Sequence, residues 1–110
     1  MQTFKQLNIT ELDYFIDSIT EKFPYQDVFI TELKTVLPEH THDDYEARLF
    51  LEGDAVFCVD GIEYSCSAGS YIEISPGTKH SFKHNSKETL KVLRFFTDPS
   101  GWSANFCVQD

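Results

Sequence analysis

Short β-type segments, separated by turn-forming residues, constrain the fold of this chain more than any other feature of its sequence. The clearest pair, residues 55–59 and 62–66, flanks Asp60-Gly61, a dipeptide typical of a two-residue type I′ hairpin. About seven or eight such strands, spaced by roughly 8–12 residues, are typical of an antiparallel barrel or sandwich. We therefore predict an all-β fold. Its other expected strands are 27–37, ended by Pro38, then 47–51, 71–74, one beginning at His80, 89–96 and 105–108.

The N-terminal segment, residues 1–24, departs from this β pattern. Between residues 10 and 23 the apolar residues recur at helical spacing, Thr10 is suited to be the N-cap, and Pro24 follows the last of them. We predict a short N-terminal α-helix that packs on a single β-barrel formed by residues 25–110. A helix that binds a partner protein is the alternative interpretation.

The charge of the chain restricts its partners. Nine lysines and arginines stand against 18 aspartates and glutamates, giving a net charge of −9 over 110 residues. Nucleic-acid backbones and anionic membrane surfaces attract basic proteins, so neither is an expected partner. The length corresponds to one domain that can form its own hydrophobic core.

The cysteines and the apolar runs indicate the compartment. The chain has three cysteines, Cys58, Cys66 and Cys107, without a CxxC pair, which does not suit a disulfide framework. It shows no secretory signal at its start and no apolar run approaching the ~20 residues that span a bilayer. We expect a cytoplasmic protein.

Three histidines and one glutamate form the strongest functional pattern. His40 and His42 lie two residues apart, and on an extended segment such side chains point to the same side. Glu46 can reach that side if the chain turns between them, and His80 has to arrive from a separate strand. Imidazoles and carboxylates suit mid-row transition metals, so we predict a metal site at these four residues. The alternative is a set of unrelated surface histidines.

Two longer patterns resemble those of a known superfamily. His40-x-His42-x3-Glu46-x6-Gly53 is similar to the first motif of the cupins, and residues 69–80, from Gly69 through Ser75-Pro76-Gly77 to His80, resemble the second. This resemblance implies a cupin jelly-roll β-barrel. Within the cupins, Arg48, the turn 75–80 and the segment 94–102, which reads RFFTDPSGW, are similar to the acireductone dioxygenase family.

The resemblance also implies a chemistry. His40, His42, Glu46 and His80 would bind one divalent transition metal, with Fe(II) expected and Ni, Mn or Zn as alternatives. A small enediol-type substrate and O2 would meet there, and the substrate would be cleaved oxidatively. Arg48 and Arg94 would face the anionic substrate. The expected walls of the substrate pocket are Phe50, Phe82, Phe96 and Trp102.

Several alternatives stay open at the level of sequence. The chain can be a metal- or ligand-binding cupin without catalytic activity, or a Zn- or Mn-dependent isomerase. Each arginine can instead form an ion pair, and the aromatic residues can belong to the core. Cys58 and Cys66 are interpreted as small apolar residues, and His84 as a surface residue. A homodimer is the candidate assembly.

Overall fold

The computed structural model describes residues 2–8, 11–32, 34–41, 45–84, 88–97 and 108–109. These residues contain one helix and ten strands. In chain order they are β1 (Gln2–Gln6), α1 (Leu12–Lys22), β2 (Tyr25–Thr31), β3 (Thr35–His40), β4 (Glu46–Glu52), β5 (Ala55–Val59), β6 (Ile62–Cys66), β7 (Ser70–Ile74), β8 (His80–His84), β9 (Leu90–Phe96) and β10 (Val108–Gln109).

The strands form two five-stranded sheets. One has the order β1-β7-β4-β9-β2 and the other the order β10-β3-β8-β5-β6. All neighbouring strands run antiparallel, and most neighbours are distant in sequence. Two sheets with this strand order enclose a common core, which confirms the predicted all-β barrel with one short helix.

Strand β4 is covered on both faces, and its predicted site residues, Glu46 and Arg48, are buried. Phe50 belongs to a core cluster to which both sheets contribute. Ala47 and Leu49 belong to a second cluster, under Ile19 and Phe23 from the helical segment. Because side chains alternate along a strand, Glu46 and Arg48 lie on the same face as Phe50, toward the barrel interior.

Helix α1 is also held to the barrel through a carboxylate. Lys22 Nζ and the Tyr45 hydroxyl each donate a 3.0 Å hydrogen bond to Glu73 Oε1, and the Tyr71 hydroxyl donates to Oε2 at 2.5 Å. Burial by itself raises the pKa of Glu73, but the bonds from Tyr71, Lys22 and Tyr45 outweigh it and leave this pKa below its usual value. The ionised carboxylate therefore connects the helix to the sheet.

Three features of the N-terminal half differ from the predictions. The strand β1, which the sequence did not predict, pairs with β7 and adds an edge to the first sheet. The predicted strand 27–37 is two strands, and Pro38 lies inside β3 instead of ending it. The pairing of β3 with β8 shifts register between Leu37 and His40, so the missing N–H of Pro38 falls at an irregularity. The helix has Glu11 at its N-cap, and Thr10 lies outside the described residues.

His84 was wrongly predicted to be a surface residue. Its side chain is fully buried, with Nδ1 2.9 Å from the Asp54 carbonyl oxygen and Nε2 2.8 Å from that of Glu88. In this position the ring connects the β4–β5 turn with the segment that precedes β9. His84 therefore has a structural role. In the part of the chain that the structure describes, no helix is both long and apolar enough to span a membrane.

Candidate functional site

A small cavity inside the barrel is lined by some of the predicted site residues. Its volume is about 20 Å³, little more than one water molecule needs. It includes both predicted arginines and two of the predicted pocket phenylalanines, with four further apolar residues. The lining residues are Phe29, Leu37, Arg48, Phe50, Phe57, Phe82, Val92 and Arg94. A larger open groove, lined by residues of β5, β6 and β8, includes none of the predicted site residues.

Arg48 and Arg94, the two arginines of the sequence, occupy directly paired positions on β4 and β9. Like charges at paired positions repel, and each guanidinium is accompanied by a carboxylate. Arg48 Nη2 donates to Glu46 Oε1 at 2.9 Å, and both side chains are buried. Arg94 donates from Nε and Nη2 to the two oxygens of Asp27, at 2.7 and 2.6 Å. Each arginine that lines the cavity therefore has its positive charge neutralised by one carboxylate.

Asp27 was not predicted from the sequence. It lies on β2, at the edge of the first sheet, and pairs in register with Arg94. The alternation of β2 indicated that Asp27 shares a face with Phe29, but only the register of β2 on β9 shows which residue its carboxylate meets.

Phe96 is buried as predicted for a pocket residue, but it does not line the cavity. Its ring centroid lies 5.2 Å from Arg48 Cζ and 5.7 Å from Arg94 Cζ, so it supports both guanidinium groups through cation–π contacts. Trp102, the remaining predicted pocket residue, lies outside the described residues.

His40 and His80 are register partners at the adjoining ends of β3 and β8, with ring centroids 4.2 Å apart. The Nδ1 atom of His40 lies 2.7 Å from the Pro38 carbonyl oxygen, and that of His80 lies 3.0 Å from the Thr78 carbonyl oxygen. A carbonyl oxygen only accepts, so Nδ1 donates in both rings and a neutral ring keeps its lone pair on Nε2.

Both Nε2 atoms are buried. Fixing the Nδ1 proton on a backbone carbonyl is how proteins orient a histidine that binds a metal through Nε2. The ring of Phe57, which lines the cavity, stacks at 6.0 Å from His80. The two histidines can therefore act as nitrogen donors beside the arginine-containing cavity.

The structure brings together part of the predicted metal site. Glu46 is buried at the start of β4, where it accepts the hydrogen bond from Arg48. His42 lies outside the described residues. Among the residues that are described, no group of three or more His, Cys, Asp or Glu side chains could hold a metal ion. The four-ligand site therefore stays a prediction.

Cys66 does not take part in this site. It belongs to the hydrophobic core, where burial raises the pKa of its thiol to about 12. A thiol of this kind stays protonated, and it is the thiolate that binds metals. Cys58 is half-buried on the same hairpin, and Cys107 lies outside the described residues.

Comparisons with known proteins connect this geometry to one family. The model of the ARD/ARD′ family matches residues 2–104. An acireductone dioxygenase from Aquifex aeolicus (strain VF5) is 36% identical over 102 residues, which are 88% of this chain and 54% of that protein. Another, from Hydrogenobaculum sp. (strain Y04AAS1), is 37% identical over 111 aligned residues, which are 96% of this chain and 57% of that protein. The chain therefore spans somewhat more than half the length of these relatives.

Solved structures agree on the fold. Acireductone dioxygenase from Bacillus anthracis, with a cadmium ion in its active centre, superposes with a TM-score of 0.75 at 16% identity, covering 97% of this chain and 82% of that one. A cupin protein from Bacteroides fragilis superposes with a TM-score of 0.59 at 17% identity, covering 74% of each chain. At such identities the likeness shows a cupin barrel. Because the family model matches nearly the whole sequence, the chain belongs to the ARD/ARD′ family.

Proposed function

We propose that this protein is a metal-dependent dioxygenase of the acireductone dioxygenase type, which cleaves a small enediol-type substrate with O2. The observation that carries the proposal is one apolar cavity that contains both arginines and adjoins two histidines with Nε2 lone pairs. Relatives from Aquifex and Hydrogenobaculum, which bear the name acireductone dioxygenase, support it.

The metal would be held by His40, His42, Glu46 and His80, with Fe(II) as the expected native ion. Nitrogen and carboxylate donors of this kind suit mid-row divalent metals, and the relative from Bacillus anthracis has a cadmium ion in its active centre. When bound, the metal supplies Lewis-acid charge and open positions that orient the substrate. The carbonyl oxygens of Pro38 and Thr78 hold two of the rings in the tautomer that this binding requires.

The remaining residues of the cavity would bind the substrate and exclude water. Guanidinium groups pair well with enediolate oxygens, so Arg48 and Arg94 would orient an anionic substrate. The apolar walls lower the local dielectric constant, which strengthens these charge interactions.

The test combines metal analysis with oxygen uptake. Protein purified without an affinity tag is analysed by inductively coupled plasma mass spectrometry and then assayed for O2 consumption with a synthetic acireductone. We expect about one divalent metal per chain and oxygen uptake that depends on it. A loaded metal site without oxygen uptake would refute the dioxygenase assignment, and a protein that binds no metal even after reconstitution would refute the ligand assignment.

Strand β4 offers a matched pair of variants for the same test. Glu46→Gln removes a predicted ligand charge from the buried start of the strand, whereas Glu52→Gln makes the same change at its exposed end. We expect the first variant to lose metal and activity and the second to keep both. Equal metal content in the two variants would exclude Glu46 as a ligand.

Three further expectations accompany the proposal. The partners are a small-molecule substrate and O2, the compartment is the cytoplasm, and a homodimer is the candidate assembly. Size-exclusion chromatography with light scattering tests the last of these.

A further inference from the structure

Strand β2 is a long edge of the first sheet. It has seven residues and pairs with β9 on one side, and within the described part of the chain no strand lies on its other side. We propose that β2 pairs with β2 of a second copy of this chain, antiparallel and with the twofold axis at Phe29. The first sheets of the two copies then join into one continuous sheet. This pairing depends neither on the metal nor on the proposed reaction.

The other edges of the two sheets are short or lie against each other. The ring of Phe4 on β1 stacks on the ring of Tyr64 on β6, with centroids 5.0 Å apart, so these two edges are in contact. Strand β10 has two described residues. Proteins protect exposed edges with proline, lysine or a bulge. Strand β2 contains neither residue, and its seven-residue pairing with β9 has no register shift. It is therefore the edge best suited to accept another strand.

Two apolar side chains on the outer face of β2 are exposed. Val28 is 47% exposed and Ile30 is 57% exposed. The cluster under helix α1 covers outer-face residues of β4, β7 and β9, and among the described residues it does not extend to these two. Both side chains are β-branched, a type that packs well against a neighbouring strand. A second strand at this edge would bury apolar surface and bind the outward backbone N–H and C=O groups.

The order of the residues in β2 favours a second copy as the partner. In an antiparallel pair with its axis at Phe29, Val28 lies opposite the partner's Ile30, and by symmetry this apolar contact forms twice. Phe29 lies opposite the partner's Phe29. An axis at Val28 would instead place Ile30 opposite the partner's Gln26. The register centred on Phe29 is therefore the one that matches apolar side chains with one another.

The charges of β2 permit this contact in an acidic protein. Two copies with a net charge of −9 each repel one another. Among residues 26–30 Asp27 is the one ionisable side chain, and it already accepts hydrogen bonds from Arg94 at 2.7 and 2.6 Å. The strand therefore brings a neutralised charge to the contact. Added salt screens the repulsion between the remaining surfaces, so it should strengthen the dimer.

Sedimentation velocity over a concentration series tests the assembly. One strand pair buries less than the ~1,600 Å² of a standard interface, so we expect a weak dimer with a dissociation constant of about 10–500 µM. In 15N-labelled protein, the amide signals that change on dilution should be those of residues 26–30. A wild type that stays monomeric at about 1 mM would leave the edge to another kind of partner and overturn the proposal. Changes on dilution that lie on β1 and β6 would overturn it as well.

Two exposed isoleucines provide matched variants. Ile30→Lys places a charge opposite the partner's Val28, whereas Ile62→Lys makes the same change on β6, where Ile62 is 52% exposed. We expect the dissociation constant to rise at least about tenfold in Ile30→Lys and to stay within about twofold in Ile62→Lys. Equal effects of the two variants, or no effect of Ile30→Lys, would refute pairing through β2.

Two double variants test the register. In Val28→Lys/Ile30→Glu, an axis at Phe29 places each new lysine opposite a new glutamate, whereas Val28→Lys/Ile30→Lys places like charges opposite each other. We expect the first to dimerise at least about tenfold more tightly than the second at low salt. Equal or weaker dimerisation of the first would refute this register. Circular dichroism checks that the variants fold, and the wild-type dilution spectra decide the pairing by themselves if they do not.

Discussion

Replacing Gly53 with alanine should destabilise the barrel far more than the same change at Gly61. Gly53 lies between β4 and β5 with a φ of +85°, and a Cβ atom there would lie 2.4 Å from the Thr89 carbonyl oxygen and 3.0 Å from Leu90 Cα. Gly61, in the β5–β6 hairpin, has a φ of +80°, and nothing lies within 4 Å of its Cβ position. The two glycines share a left-handed backbone and differ in how closely another strand approaches.

The expected magnitudes follow from that difference. A left-handed conformation costs alanine about 1–2 kcal/mol. Alanine also lowers the conformational entropy of the unfolded chain, which offsets about 0.4–1 kcal/mol of this cost. We expect Gly61→Ala to lower the free energy of unfolding by about 1 kcal/mol. In Gly53→Ala the carbonyl must also retreat by about 0.6 Å to reach the 3.0 Å limit for such contacts. Overpacking of this kind adds about 1–3 kcal/mol, for a total loss of about 2–4 kcal/mol.

Urea denaturation followed by far-ultraviolet circular dichroism measures both variants against the wild type. The comparison depends on the difference between the variants, because the strain of the left-handed backbone is common to both. If the two free energies of unfolding agree within about 0.5 kcal/mol, the β4–β5 turn does not pack against Thr89 as described, and the reasoning is wrong.

Two further predictions concern buried polar groups. Because the pKa of Glu73 is lowered in the folded state, the stability it contributes is fully present above the ordinary glutamate pKa of 4.5 and is lost as the pH falls through the lowered value. The stability difference between the wild type and Glu73→Gln should therefore shrink below pH 4.5, and a difference that stays constant in denaturation curves from neutral to acidic pH would contradict this. His84→Ala should lower the free energy of unfolding by about 2–4 kcal/mol in the same assay, because it leaves a cavity in place of a fully buried ring and removes the contacts of that ring with the Asp54 and Glu88 carbonyl groups. A loss below about 1 kcal/mol would show that water replaces the ring.

Local features of the fold were predictable because they depend on residues close in sequence. Asp60 and Gly61 adopt φ angles of 51° and 80°, which confirms the predicted type I′ turn, and β5 and β6 have the predicted bounds. The helix was confirmed for the same reason, since its apolar spacing and Pro24 are local signals. The motifs around His40 and His80 also indicated the family, because the cupin pattern consists of fixed spacings.

Tertiary structure decided what depends on distant partners. Pairing of β2 with β9 brings Asp27 to Arg94 across 67 residues, and the register of that pairing, which no local signal encodes, determines the contact. The same holds for His84, whose Nδ1 contacts the carbonyl oxygen of Asp54, 30 residues away in the sequence. The sequence by itself determined which side chains can bind a metal or an anion. The packing of the sheets decided which carboxylate holds Arg94, because an ion pair between two strands forms only after their register is set.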